Sequence, residues 1–249
     1  MPDIKGGIIM YIVSDKRTQV PAIELDDIQR ETGTQLPLSY RFFLTQYGEG
    51  TYCGWVNITR PDPEVLQPFM EYDFWLHDEA CPITQAQIKQ CVSIGTSIDG
   101  DFLAVHPQTE EILWFPRHAE EITLKSCREA LFTHTLDRIY REEYKQNNSA
   151  PAFFEPWSDT RMHTFFLFSS REGSLSMHDL ARLCKERFQP DLVFENEYTC
   201  KIFLQVLGGY IRFNYAYGME IAVFYEKDRS KLYGDISLFL QQHNCQLHS

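Results

Sequence analysis

No stretch of this chain is apolar over the about 20 residues that a membrane-spanning helix needs. The one apolar run near the start, Ile8–Val13, is short, follows Gly6-Gly7 and ends at the charged Asp15-Lys16-Arg17. It lacks the basic start, the longer apolar core and the small-residue cleavage site of a signal peptide, so a strand is expected there. Cys-x-x-Cys does not occur either. Cys53, Cys81, Cys91, Cys127, Cys184, Cys200 and Cys245 are odd in number and scattered, which argues against a disulfide scaffold. Reduced thiols and a cytoplasmic location are expected. Phosphate-cradling loops are missing too: Gly208-Gly209 lacks the Lys and Ser/Thr of a P-loop, and G-x-G-x-x-G does not occur. Nor is there a G-x-S-x-G elbow for a serine nucleophile. Basic residues form no stripe, which excludes the usual nucleic-acid footprint. No cofactor is implied.

What is present is a chain of 249 residues, long enough for one large domain or two ordinary ones. Its hydrophobic fraction of 43% allows a packed core. The 18 Phe, 13 Tyr and 4 Trp suit both cores and interfaces. The net charge is −12, and almost all of it lies early: residues 1–155 hold 24 acids against 13 bases, residues 156–249 only 11 against 10. An acidic surface attracts basic partners and repels nucleic acid and anionic lipid. Acidity also simply keeps a protein soluble.

Two parts are expected, residues 1–150 and residues 158–249. The polar segment Gln146–Pro151, followed by the aperiodic Phe153-Phe154-Glu155-Pro156-Trp157, reads as a linker that packs onto something. In the first part, helices are expected over Ile23–Thr32 and from Leu36-Pro37 to Tyr47, stopped by Gly33 and Gly48. Strands follow at Trp55–Thr59, Val92–Ser97, Phe102–His106 and Ile112–Phe115, with turns at Asp99–Asp101 and Pro107–Glu110. A helix from Ser126 to about Lys145 would be opened by a Ser126/Glu129 capping box. The second part reads as a small α+β domain. Its expected strands are Thr164–Ser169, Leu192–Glu195, Cys200–Val206, Tyr210–Tyr217 and Glu220–Glu226. Its expected helices are Ser176–Phe188, with Ser176 and Asp179 capping it, and Ser230–His243.

The run Ile28-Gln29-Arg30-Glu31-Thr32-Gly33-Thr34-Gln35-Leu36-Pro37-Leu38-Ser39-Tyr40-Arg41-Phe42-Phe43-Leu44 resembles the opening of the SUKH superfamily of bacterial immunity proteins, which also includes a yeast regulator of cell-wall synthesis. Tyr47-Gly48-Glu49-Gly50 is similar to the turn that follows. Ile94-Gly95 and Gly100-Asp101-Phe102-Leu103 resemble the family's central strand pair, and Ile112–Phe115 its next strand. The resemblance covers about residues 20–145. Thr59–Ile83 does not align, and the second part matches no named family. The resemblance implies an α+β fold, with a SUKH-like mixed α/β N-terminal domain built on a central antiparallel sheet. It also implies binding without catalysis, and often neutralisation of a toxin such as a nuclease. Two alternatives stay open: a scaffold or regulator acting on an endogenous partner, and an enzyme activity in the C-terminal part.

Asp99-Gly100-Asp101 reads as a tight turn, since a calcium loop needs more oxygen ligands at fixed offsets. His77-Asp78-Glu79-Ala80-Cys81 is the densest ligand-like cluster, but zinc sites bring paired ligands twice, so a solvated loop is expected and no metal. His106, His118 and His134 lack an associated nucleophile. Pro190-Asp191, Glu195, Glu197 and Lys201 faintly suggest a metal-dependent nuclease, but Thr199 stands where the second acid should be. What remains is a contact surface. From Pro61 to Cys81 the acids Asp62, Glu64, Glu71, Asp73, Asp78 and Glu79 are interrupted by no Lys or Arg, and Phe69, Tyr72, Phe74 and Trp75 interleave with them. Acids steer a basic protein in and rings anchor it. The expected partner-binding residues are Asp62, Glu64, Glu71, Tyr72, Asp73, Trp75, Asp78 and Glu79, facing a basic toxin domain. The competing reading is an ordinary helix and loop with buried rings and solvated acids.

Overall fold

The computed structural model describes residues 10–109, 111–146, 151–169 and 175–248. Residues 8–9 of the expected first strand, Glu110 of the expected turn and residues 147–150 of the expected linker lie outside them. The described residues form two compact units: Arg17–Pro156, and residues 10–16 together with Trp157 onward.

The N-terminal unit opens with helices α1 (Ala22–Thr32) and α2 (Leu38–Tyr47). Gly33 ends α1 in the left-handed region at φ 69°, where glycine costs least. Gly48 ends α2, and a Cβ there would lie 2.1 Å from the Thr18 carbonyl oxygen, so no side chain fits. Seven strands follow, β2 (Gly50–Tyr52), β3 (Val56–Asp62), β4 (Val92–Ser97), β5 (Phe102–Val105), β6 (Ile112–Phe115), β7 (Thr123–Lys125) and β8 (Phe153–Pro156). Helix α3 (Phe132–Tyr144) lies between the last two. Their antiparallel sheet runs β8-β2-β3-β4-β5-β6-β7 in space. Strand alternation sends residues to opposite faces. Tyr40 of α2 packs on Phe132 of α3 (5.3 Å), and Phe43 of α2 on Phe154 of β8 (5.0 Å). Ala104, Leu113 and Phe115 instead join Leu66, Trp75, Ile83 and Ile88 in a second cluster. Thus the segment after β3 is tied down by packing on β5 and β6.

Two sequence expectations change here. Phe153–Pro156 is not a linker: it pairs with Gly50–Tyr52 as β8. The Ser126/Glu129 capping box does not form. α3 begins at Phe132, and Glu129 instead accepts from Arg138 Nε (2.7 Å) and Thr135 Oγ1 (3.0 Å). The Arg138 hydrogen bond holds the Glu129 carboxyl below its ordinary value of 4.5. Its stabilising contribution is therefore present above that pH and is lost as pH falls through the lowered pKa. Thermal melts taken from about pH 6 to about pH 3 are expected to show a shallower acid loss in Glu129→Gln than in the parent. Superimposable slopes would mean that this pair contributes nothing to acid stability.

The C-terminal unit contains the two-residue strand β1 (Tyr11–Ile12), whose Tyr11 ring lies 5.7 Å from Phe203. Its sheet comprises β9 (Arg161–Phe168), β10 (Leu192–Glu195), β11 (Thr199–Leu204), β12 (Gly209–Asn214), β13 (Glu220–Glu226) and β14 (Cys245–His248). The spatial order is β10-β11-β12-β13-β9-β14, antiparallel throughout. Helices α4 (Met177–Phe188) and α5 (Ser230–Gln242) bury Leu180, Cys184, Ile236 and Leu240 with Phe166, Ile211, Phe213, Ile221 and Val223. Ser176 and Asp179 cap α4 reciprocally, as their spacing suggests. Gly209 permits the close pairing of β12 and β13, since a Cβ there would lie 1.9 Å from Phe224 O. Together the helices and the two antiparallel sheets are an α+β fold, as expected.

Candidate partner-binding face

The segment from Gln67 to Leu76 leaves β3, makes a 3-10 turn over Gln67–Glu71 and meets the chain again at residues 120–121. Leu76 N donates to Glu120 O at 2.8 Å and pairs with Glu121 in a single parallel bridge. This anchoring fixes which rings point inward. Trp75 is 7% exposed, its Nε1 donating to Pro116 O at 2.8 Å and its ring 5.0 Å from Phe115. Of the expected contact residues, Trp75 therefore belongs to the core. Tyr72, Phe74 and Leu76 point outward and are 58, 53 and 50% exposed. They are not loose: Phe74 lies 5.5 Å from Phe69 and 5.6 Å from Tyr72, and Phe69 in turn leans on Trp75.

Around these rings Glu71, Asp73, Asp78 and Glu79 are all exposed. Asp73 accepts weakly from Gln85 Nε2 at 3.4 Å. Asp78 Oδ1 accepts from the backbone N–H groups of Ala80 (3.0 Å) and Cys81 (3.1 Å), so it shapes the turn as well as carrying charge. Asp62 and Glu64 are exposed at the end of β3, where Asp62 Oδ1 accepts from Glu64 N at 2.7 Å. Among the described residues no hydrogen bond or ion pair joins that pair to the other acids. Glu120 and Glu121, both exposed, reach this face through the Leu76 bridge, more than forty residues away in sequence. Sequence reasoning missed them because only the tertiary pairing brings them in. A small pocket of about 210 Å³ sits beside Leu76, bounded by Asp78, Cys81, Glu121 and Ile122.

The other candidate clusters have structural explanations. Asp101 is 7% exposed and accepts from Ser97 Oγ and from Arg117 N (2.9 Å), so the Gly-Asp turn is a staple. His77 Nδ1 lies 2.9 Å from Ile83 O, which makes that nitrogen a donor and not a metal ligand. Among the described residues no group of three or more His, Cys, Asp or Glu could hold a metal ion. His106 is 1% exposed, and burial lowers its pKa, keeping it neutral. None of the seven cysteines is joined in a disulfide among the described residues. Burial pushes Cys91 and Cys245 up to about 12 and Cys200 up to about 11, so these three pack as apolar groups rather than as nucleophiles. No helix among the described residues is long and apolar enough to cross a membrane.

Residues 20–126 match the SMI1 / KNR4 family (SUKH-1). The match bears out the SUKH resemblance and takes in α1, α2 and strands β2 to β7. It stops before α3, covers less than half of the chain, and leaves the whole C-terminal unit unassigned. No curated protein and no solved structure matches the chain. The acidic, ring-bearing face therefore lies on the SUKH-1 segment itself.

Proposed function

We propose that the protein is a non-catalytic binder that neutralises a basic toxin domain, a nuclease being the natural candidate, by covering it with the face around Phe74. The observation that carries this reading is the exposure of Tyr72, Phe74 and Leu76 on a segment whose Glu71, Asp73, Asp78 and Glu79 are exposed too, with the exposed Glu120 and Glu121 bridged to it at Leu76. Exposed large side chains held by neighbours lose little freedom on binding, which suits them as anchors. Carboxylates around them speed the approach of a cationic partner, and desolvation of the rings slows its release. The SUKH-1 match supports a protein-binding role for the same segment. The N-terminal unit acts as the binding domain, and the C-terminal unit is a separate domain. Co-expression with a basic toxin domain encoded beside this gene is the test. Restored growth together with a stable purified complex is expected. If growth is not restored and no complex forms, the toxin reading fails.

A further inference from the structure

On the N-terminal unit, a groove of about 990 Å³ runs between the α1–α2 loop, the turn after β5 and the segment leading into α3. Its volume is that of a site for a small ligand or a short peptide. Leu36, Leu38 and Pro107 make its apolar walls. Leu38 is 81% exposed, an aliphatic side chain left in water at the mouth of the groove. Ser39, the next residue, also lines it. Ser39 is only 8% exposed, and its hydroxyl has no hydrogen-bond partner. Buried hydroxyls are nearly always satisfied, so one that is not marks a place for a missing partner.

Charge then selects the partner. Arg41 is engaged by Asp26, and Glu129 by Arg138. Arg128 is exposed and forms no ion pair among the described residues. Among the described lining residues the uncommitted charge is thus positive, within a chain whose balance is strongly negative. The geometry points to an extended peptide segment bearing a carboxylate beside an aliphatic side chain as the occupant. The carboxylate meets the planar donor fork of Arg128 and the Ser39 hydroxyl, and the aliphatic group covers Leu36, Leu38 and Pro107. The exposed Gln35 amide, donor and acceptor at once, suits a peptide backbone. This occupant is opposite in charge to the basic partner above, so the two sites are tested separately.

The test is a titration of the ¹⁵N-labelled full-length protein with acetyl-Leu-Asp-Ala-amide, with the same peptide carrying Asn in place of Asp, and with acetate. Shifts are expected at the backbone amides of residues 35–36, 38–41, 108–109 and 127–130. The Asn peptide and the variant Arg128→Gln should each weaken binding about 5-fold or more. Ser39→Ala removes a hydroxyl without a partner, so it should weaken the peptide while leaving thermal stability unchanged or raised. Equal affinity for both peptides, acetate binding as tightly as the peptide, or shifts confined to other surfaces would overturn the assignment.

Discussion

Replacing Glu226 with Ala is expected to destabilise the C-terminal unit by about 3–5 kcal/mol, the usual consequence of breaking a buried charged network. Glu226 closes β13, and its side chain is fully buried. Oε1 accepts from Ser14 Oγ at 2.8 Å and faces Arg161 Nε at 3.4 Å. Oε2 accepts from Thr160 Oγ1 at 2.7 Å and Ser158 Oγ at 3.1 Å. An alanine methyl would strip the acceptor from three hydroxyls and a guanidinium at once. Of these donors Ser14 and Arg161 are the buried ones, whereas Thr160 is exposed and regains water, so the cost comes mainly from the first two, at about 1–3 kcal/mol for a buried neutral donor and more for a charged one. Glu226→Gln keeps the shape and one acceptor oxygen, and should cost about 1–3 kcal/mol. Because Ser14 is one of the donors, residues 10–16 should lose hydrogen-exchange protection together with β13. A Glu226→Ala protein within about 0.5 kcal/mol of the parent in denaturant unfolding would mean the network is not structural.

The second large effect is kinetic. Reversing Asp73, Glu79 and Glu121 together to Lys is expected to slow association with the basic partner about 10–100-fold at low salt, and to flatten its salt dependence. These three are the appropriate choice because none supports the backbone through its carboxylate as Asp78 does for Ala80 and Cys81. The Phe74→Ala variant should act on the other half of the process, raising the dissociation rate with the association rate nearly unchanged. Stopped-flow measurements on both variants separate the two contributions. Identical association rates for the triple variant and the parent would remove this face from the encounter.

Local sequence signals were enough wherever the structure is local. Ser176 and Asp179 cap α4 because both partners sit within one turn, and Gly33 and Gly48 stop their helices by their own backbone conformation. Ser126 and Glu129 carry an equally good capping pattern, yet Arg138, nine residues on, takes Glu129 away. Phe153–Pro156 lacks strand periodicity and becomes β8 only because Gly50–Tyr52, a hundred residues earlier, offers an edge. Likewise, nothing around Ser14 announces that it belongs with Glu226. The candidate face divides the same way. Its acids and rings were visible from Glu71 to Glu79. Which ring turns inward was decided by the Pro116 carbonyl taking the Trp75 indole N–H, a contact across 41 residues.

The most direct measurement of the central claim is a comparison of hydrogen exchange in the free protein and in its complex with the basic partner. Protection should concentrate on residues 71–79 and 120–121, the segment that carries the outward rings and their carboxylates. Unchanged exchange there, with protection appearing instead on the C-terminal unit, would contradict the account.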